Sequence, residues 1–192
     1  MNTIKLFFAT RNGHKRQEVQ DILGDQFKVV GPEDLGFTDD VEETGQTLEE
    51  NAVLKAMAYA HLGIPVLADD SGLEIEALNG APGVYSARFA GEGAGSAENM
   101  QKVLSLMKGK TNRAAQFKTV LAYFDGTQVH TFKGTVSGFL LEQARGTGGF
   151  GYDPLFVEEG EVRTFAELTA EEKNSRSHRM RALEAWLGFL QG

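Results

Sequence analysis

The chain has 192 residues, of which 41% are hydrophobic and 24% charged, enough apolar material for the core of a compact globular domain and too much for a disordered chain. Its formal net charge of -8 argues against sequence-independent binding of DNA or RNA, which rests on neutralising phosphates with Lys and Arg. Without cysteine there can be no disulfide framework, thiolate nucleophile or Cys-based zinc site, and no stretch approaches the roughly 20 apolar residues of a bilayer-crossing helix.

Met1 to Phe8 runs into a strand-like segment rather than a cleavable leader, so the expectation is a soluble, cytoplasmic protein with no membrane or nucleic-acid partner. Ile4 to Ala9 reads as a buried strand and His14 to Leu23 as a helix closed by Gly24. Phe27 to Val30 is the next strand. Thr47 and Glu50 form a capping box, each side chain satisfying an N–H of the other, at the start of a helix expected to reach about Leu62 and stop at Gly63. Pro65 to Ala68 and Leu73 to Glu76 read as two short strands on either side of Asp69-Asp70-Ser71-Gly72, and Asn79-Gly80 as a turn leading to a loop with Pro82 and Arg88.

From Ser96 to Lys108, Met100, Val103, Leu104 and Met107 recur at helical spacing, with Gly109 as the stop. Gln116 to Phe124 and Thr127 to Leu141 flank Asp125-Gly126, a hairpin signal because both residues tolerate the positive φ of a tight turn. Leu183, Trp186, Leu187 and Leu190 mark a closing amphipathic helix with that face toward the core. No linker or repeat interrupts residues 1–192. The pattern predicts an α/β fold with a mixed sheet, since helices and strands alternate early and a long hairpin comes late.

Two nucleotide motifs are present in appearance only. Gly109-Lys110-Thr111 imitates the end of a P-loop, but the earlier glycine would fall at Leu104 inside a helix. Gly146-Thr147-Gly148-Gly149-Phe150-Gly151 fits the dinucleotide fingerprint, yet leads into Tyr152-Asp153-Pro154 and a strand-like run instead of a helix. The four histidines, at 14, 61, 130 and 178, show no metal spacing, and no GxSxG elbow occurs, which disfavours zinc and serine hydrolases.

Other segments carry more specific chemistry. Thr10-Arg11-Asn12-Gly13-His14-Lys15 lies where a strand gives way to a helix, so helix N–H groups and the Lys15 ammonium could converge on a phosphate; ordinary capping by Thr10 or Asn12 beside an exposed lysine is the plainer alternative. The carboxylates of Asp69 and Asp70 repel one another unless a metal or cation compensates, which points to metal binding or base catalysis as much as to a turn. Glu42-Glu43-Thr44-Gly45 offers a further hard oxygen ligand, or a solvated loop. Gly146 to Pro154 combines closely spaced glycines with exposed-looking Phe150 and Tyr152: either the backbone approaches a ligand and an aromatic stacks on a nucleobase, or a buried Phe anchors the loop. Lys173, Arg176, His178, Arg179 and Arg181 form a cation cluster that could hold a small anion, although charge alone favours a solvated helix face.

These segments stand in the order and approximate spacing of one family. T-R-N-G-H-K (10–15), E-E-T-G-Q-T-L-E-E-N-A (42–52), L-K-A (54–56), A-D-D-S-G-L (68–73), G-A-P-G-V-Y-S-A-R (80–88), G-T-G-G-F-G-Y-D-P (146–154) and E-K-N-S-R-S-H-R (172–179) resemble the inosine/xanthosine triphosphate pyrophosphatases over almost the whole chain. The resemblance implies an elongated mixed sheet with flanking helices, two lobes around a central cleft, a homodimer, and Mg²⁺-dependent hydrolysis of non-canonical purine nucleoside triphosphates to monophosphate and pyrophosphate. It implies phosphate contacts from Thr10, Arg11, Asn12, Gly13, His14, Lys15 and Lys55. Asp70 would be catalytic base and Mg²⁺ ligand, with Glu43 as the second metal carboxylate and Asp69 supporting. Ser71 and Lys173 would touch substrate, Phe150, Gly151, Tyr152 and Asp153 would sandwich and read the base, and His178 and Arg179 would contact the purine. Arg11 departs from the small residue or histidine common after the first Thr, and Arg176 from a commonly apolar position. Two alternatives stay open: a nucleotide-binding sensor without turnover, and a related pyrophosphatase acting on other nucleotides.

Overall fold

The computed structural model describes residues 3–192; Met1 and Asn2, where the expected leaderless start begins, lie outside the described residues. In chain order the elements are β1 (Ile4–Phe8), α1 (Gly13–Leu23), β2 (Phe27–Val30), α2 (Leu48–Ala58), β3 (Val66–Ile75), α3 (Ser96–Leu106), β4 (Ala114–Phe124), β5 (Val129–Leu140), β6 (Phe156–Glu158), α4 (Ala170–Asn174) and α5 (His178–Gln191), with short 3₁₀ turns between them. The strands form one sheet in the order β2-β1-β3-β4-β5-β6. β1 runs parallel to β2, with Leu6 opposite Val29, and parallel to β3, with Phe8 opposite Leu67, whereas β5 and β6 are antiparallel. This is the mixed α/β sheet with flanking helices that the alternation of elements predicts. Among the described residues no helix is long and apolar enough to cross a membrane.

The chain folds as two compact units. The first holds the residues up to Asp70, Thr119–Gly134 and Arg179–Gly192; the second holds Ser71–Lys118 and Thr135–His178. Each has its own core, which follows from the apolar faces read in the sequence. In the first, Leu6, Phe8, Val19, Leu23, Leu67, Leu121, Leu183 and Trp186 pack together. In the second, Leu73, Ile75, Val103, Met107, Phe117, Leu155, Phe156 and Phe165 do so, with Met100 and Leu104 against their edge.

Five local expectations need correction. The two strands flanking Asp69–Gly72 are one continuous strand, β3, because the acids have buried cationic partners and so can stay in the sheet. The helix begun at Thr47 ends at Ala58, and a separate 3₁₀ turn, Ala60–Leu62, carries the chain to Gly63 in the left-handed region. Only half of the capping box forms there: Thr47 accepts the Glu50 N–H, but the Glu50 carboxylate takes the N–H of Gln46. The hairpin turn places only Gly126 at positive φ; Asp125 instead accepts the N–H groups of Thr127 and Gln128 on its carboxylate, an Asx arrangement that closes a longer loop. Leu190, expected in the core, is 43% exposed, since α5 outlasts the surface it packs on.

Trp186 is 1% exposed, yet its indole N–H has no hydrogen-bond partner among the described residues, so burying it brings packing without recovering the lost water contact. Trp186→Ala should therefore cost about 3–5 kcal/mol in urea unfolding. Trp186→Phe should cost well under half as much, because the ring contact with Phe27 can persist and no satisfied donor is lost.

Candidate active site

In the first unit, β3 carries Asp69 and Asp70 into the interior, 0% and 6% exposed. Successive strand side chains point to opposite faces, so neighbouring acids can be served by different helices. Asp69 accepts the Lys15 ammonium at 3.1 Å on one oxygen and the Arg179 guanidinium at 3.2 Å on the other. Arg179, wholly buried at the start of α5, uses its other terminal nitrogen on Glu18. Glu18 lies one turn after Lys15 on α1. Asp70 accepts Lys55 Nζ at 3.4 Å on Oδ1 and Asn51 Nδ2 at 3.2 Å on Oδ2, both from α2. Lys55 also holds Glu43 Oε1 at 2.6 Å.

Burial alone would raise the Asp69 pKa, but Lys15 and Arg179, with a smaller pull from Lys55, hold it far below the usual carboxylate range. Asp70 goes the other way: burial, helped by Glu43 and its neighbour Asp69, raises its pKa against the opposing pull of Lys55 and Lys15. The adjacent acids are thus driven apart, one fixed as an anion and the other made more basic, which is how an environment separates a structural carboxylate from a proton acceptor. Burial lowers the Lys15 pKa despite Asp69, whereas Lys55, although burial would lower its pKa too, is raised by Asp70, Asp69 and Glu43.

The loop before α1 is mainly a helix cap. Asn12 Oδ1 accepts the N–H groups of His14 and Lys15, and Thr10 Oγ1 accepts that of Asn12, so two of the helix N–H groups expected to face a phosphate are taken. Lys15 is not the exposed lysine of the plain capping alternative, because its side chain is 14% exposed and reaches Asp69. Gly13 and His14 are exposed. Arg11 donates to the Phe37 carbonyl and pairs with Asp40, which ties it to the acidic loop leading to Glu43.

In the second unit the glycine-rich loop is clamped from within. Asp153, 2% exposed, accepts Lys173 Nζ at 2.6 Å and the Phe150 N–H at 2.8 Å on the same oxygen. A Cβ at Gly149, whose φ is +66°, would collide with that carboxylate, and one at Gly146, at φ +84°, with the Ala166 backbone. The glycines are thus required by the loop's own packing. Phe150 is half-buried, with Lys173 Nζ 4.9 Å from its ring centroid, and Gly151 is half-buried beside it. Tyr152, expected to be exposed, is a core residue whose hydroxyl donates to the Ser86 carbonyl, and burial raises its pKa. His178 is buried with its ring stacked on Phe117, centroids 4.8 Å apart. Ser71, half-buried, opens this unit's part of β3. A groove of about 800 Å³ in the same unit, bounded in part by Glu74, Arg113, Gln116 and Phe139, includes none of the residues picked from sequence.

Sequence reasoning missed Glu18 and Asn51. The signal was spacing: Glu18 is three residues after Lys15 and Asn51 four before Lys55, positions that share a helix face.

The depressed Asp69 pKa has a consequence for stability. A carboxyl whose folded pKa lies below its unfolded value stabilises the fold above the unfolded value, about pH 4, and that stabilisation fades as the pH falls through the folded pKa. The urea midpoint of Asp69→Asn should lie well below wild type at neutral pH, and the gap should narrow on acidification below about pH 4. A gap that stays constant with pH would show that Asp69 is not held ionised by Lys15 and Arg179.

Several known proteins resemble this chain over most of its length. A dITP/XTP pyrophosphatase of Porphyromonas gingivalis is 44% identical over 97% of this chain and 97% of its own length. One from Deinococcus deserti is 52% identical over 92% of this chain and 85% of its own. Among solved structures, the Ham1 protein of Staphylococcus aureus superposes with a TM-score of 0.88 at 43% identity, covering 98% of both chains. A HAM1 protein from Coxiella burnetii also gives 0.88, at 40% identity over 98% of this chain and 99% of its own. The family model described as the Ham1 family matches residues 6–189. With that match over most of its length and relatives 44% and 52% identical, the chain belongs to the Ham1 family.

Proposed function

We propose that this chain hydrolyses non-canonical purine nucleoside triphosphates, such as inosine, deoxyinosine and xanthosine triphosphate, to the nucleoside monophosphate and pyrophosphate. The observation that carries this reading is Asp70: a buried carboxylate with raised pKa, held by Lys55 and Asn51 beside Glu43, in a chain 44% and 52% identical to dITP/XTP pyrophosphatases.

The donor set suits a hard divalent cation. Glu43 and Asp70 both touch one ammonium nitrogen, so a positive charge already sits against both carboxylates. Mg²⁺ is such a cation, often bound by one or two carboxylates, with water and substrate phosphates completing its shell. Glu43 and Asp70 would hold it, and when bound it screens the phosphates and stabilises charge developing on the leaving group.

The remaining steps fall to side chains. Lys15 and Lys55 counter the triphosphate charge that would repel an incoming nucleophile, with Thr10 to His14 as the loop around it. Asp70 takes the proton of the attacking water; the water oxygen bonds to phosphorus, the anhydride between the α- and β-phosphates breaks, and pyrophosphate leaves with the bridging oxygen's electron pair. Asp69, fixed as an anion, keeps Lys15 and Arg179 in place. Ser71 and Lys173 are assigned to substrate. Phe150 offers a π-face to the base, with Gly151, Tyr152 and Asp153 shaping its loop. Family resemblance assigns His178 and Arg179 to the purine, Arg179 from a buried place in which both terminal nitrogens already pair with Asp69 and Glu18; a donor there would suit a 6-oxo group, whereas the 6-amino group of adenine would leave it unpaired. Family resemblance supports Mg²⁺ as the metal, the cytoplasm as the compartment and a homodimer as the assembly.

Pyrophosphate release with Mg²⁺ should be far faster from inosine and xanthosine triphosphates than from guanosine, adenosine or pyrimidine triphosphates. Asp70→Asn should lower kcat by about 10²–10⁴-fold while nucleotide binding stays measurable. Equal rates on guanosine triphosphate would remove the specificity claim. Inorganic phosphate as first product would remove the reaction class, and binding without turnover by the unaltered chain would favour a sensor.

A further inference from the structure

Asn51 is an unusual residue for its place. It is 0% exposed on α2, where an apolar side chain would suit both burial and helix formation better. Both ends of its amide are used. The Gly45 N–H can only donate, so the atom facing it at 2.8 Å must be the Asn51 oxygen, which fixes the amide orientation and turns Nδ2 toward Asp70 Oδ2 at 3.2 Å. The fit leaves no slack on the loop side, because a Cβ at Gly45 would lie 2.5 Å from that oxygen. One turn later on the same face, Lys55 touches Asp70 Oδ1 and Glu43 Oε1.

We infer that Asn51 is a positioning residue, whose amide ties the loop carrying Glu43 to the Asp70 carboxylate and leaves Asp70 only the geometry the reaction uses. This rests on the reading of Asp70 as base and metal carboxylate. Lys55 supplies charge to both acids but, as a flexible ammonium, little direction. The amide supplies direction: its donor takes up the Oδ2 lone pair facing α2, and its acceptor holds the backbone two residues after Glu43. Asn51 is thereby the neutral element in a cluster otherwise made of charges.

Two substitutions separate the halves of this role. Asn51→Ala removes both contacts. Asn51→Asp keeps an oxygen for the Gly45 N–H but sets an acceptor against Asp70 Oδ2. Both should lower kcat with inosine triphosphate by about tenfold or more, the loss expected for a buried hydrogen bond to a charged group. KM, and the calorimetric affinity for the Mg²⁺ complex of α,β-methylene inosine triphosphate, should change by less than about threefold, because phosphate and base contacts are untouched. Wild-type kcat in Asn51→Asp would overturn the inference, since holding Gly45 would then be the whole task. So would equal losses of kcat, analogue affinity and thermal midpoint, which would mark a role in folding alone. Asp70→Asn keeps the two claims distinct: if it still turns over, the base reading fails, whereas an inactive Asp70→Asn beside a fully active Asn51→Asp removes only the role of Asn51.

Discussion

Two acids next to each other in a buried strand set the terms for the rest of the first unit. Asp69 and Asp70 would be intolerable together in the interior if both pointed at the same medium. The two-residue period of β3 sends them to different faces, where each meets its own cations. Asp69 is met by Lys15 from α1 and Arg179 from α5, and Asp70 by Lys55 from α2. The packing of three helices on this unit is therefore also the delivery of three positive charges, and Glu18 balances Arg179.

Such an arrangement is a poor way to gain stability. Removing one partner of a buried pair typically costs about 3–5 kcal/mol, yet replacing the whole pair with well-packed apolar residues is often neutral or better. Buried charges with divergent pKa values are more economically explained by chemistry. The cluster keeps Asp69 ionised and makes Asp70 more basic without displacing either. The second unit repeats the device on a smaller scale, with Asp153 using one oxygen to hold both Lys173 and the Phe150 amide, so the glycine-rich loop is shaped by its own contacts.

Most of the architecture was legible because it is local. Asn12 caps α1 and Gly24 closes it, Phe27–Val30 is a strand to the residue, and the stripe through Val103 and Met107 is core. The motifs also contain most of the charged residues that the structure gathers around Asp69 and Asp70. What escaped was long-range: nothing near Asp69 and Asp70 in sequence reveals that cations from residues 15, 55 and 179 let them remain in a strand, so they read as a turn between two strands. The same blindness made Tyr152 look exposed, since the Ser86 carbonyl that accepts its hydroxyl is contributed from a distant segment. Glu18 and Asn51 carried a readable clue in their helical spacing from Lys15 and Lys55, but spacing gains meaning only once those lysines are known to point inward.

The central claim is that Asp70, Glu43, Lys15 and Lys55 together receive the triphosphate and its metal. A crystal structure with Mg²⁺ and α,β-methylene inosine triphosphate tests it most directly. The account predicts the ion on oxygens of Asp70 and Glu43, with the ammonium groups of Lys15 and Lys55 in hydrogen-bond contact with phosphate oxygens. Phosphates bound elsewhere, with Asp70 still enclosed by Asn51 and Lys55 and touching neither metal nor water, would contradict it.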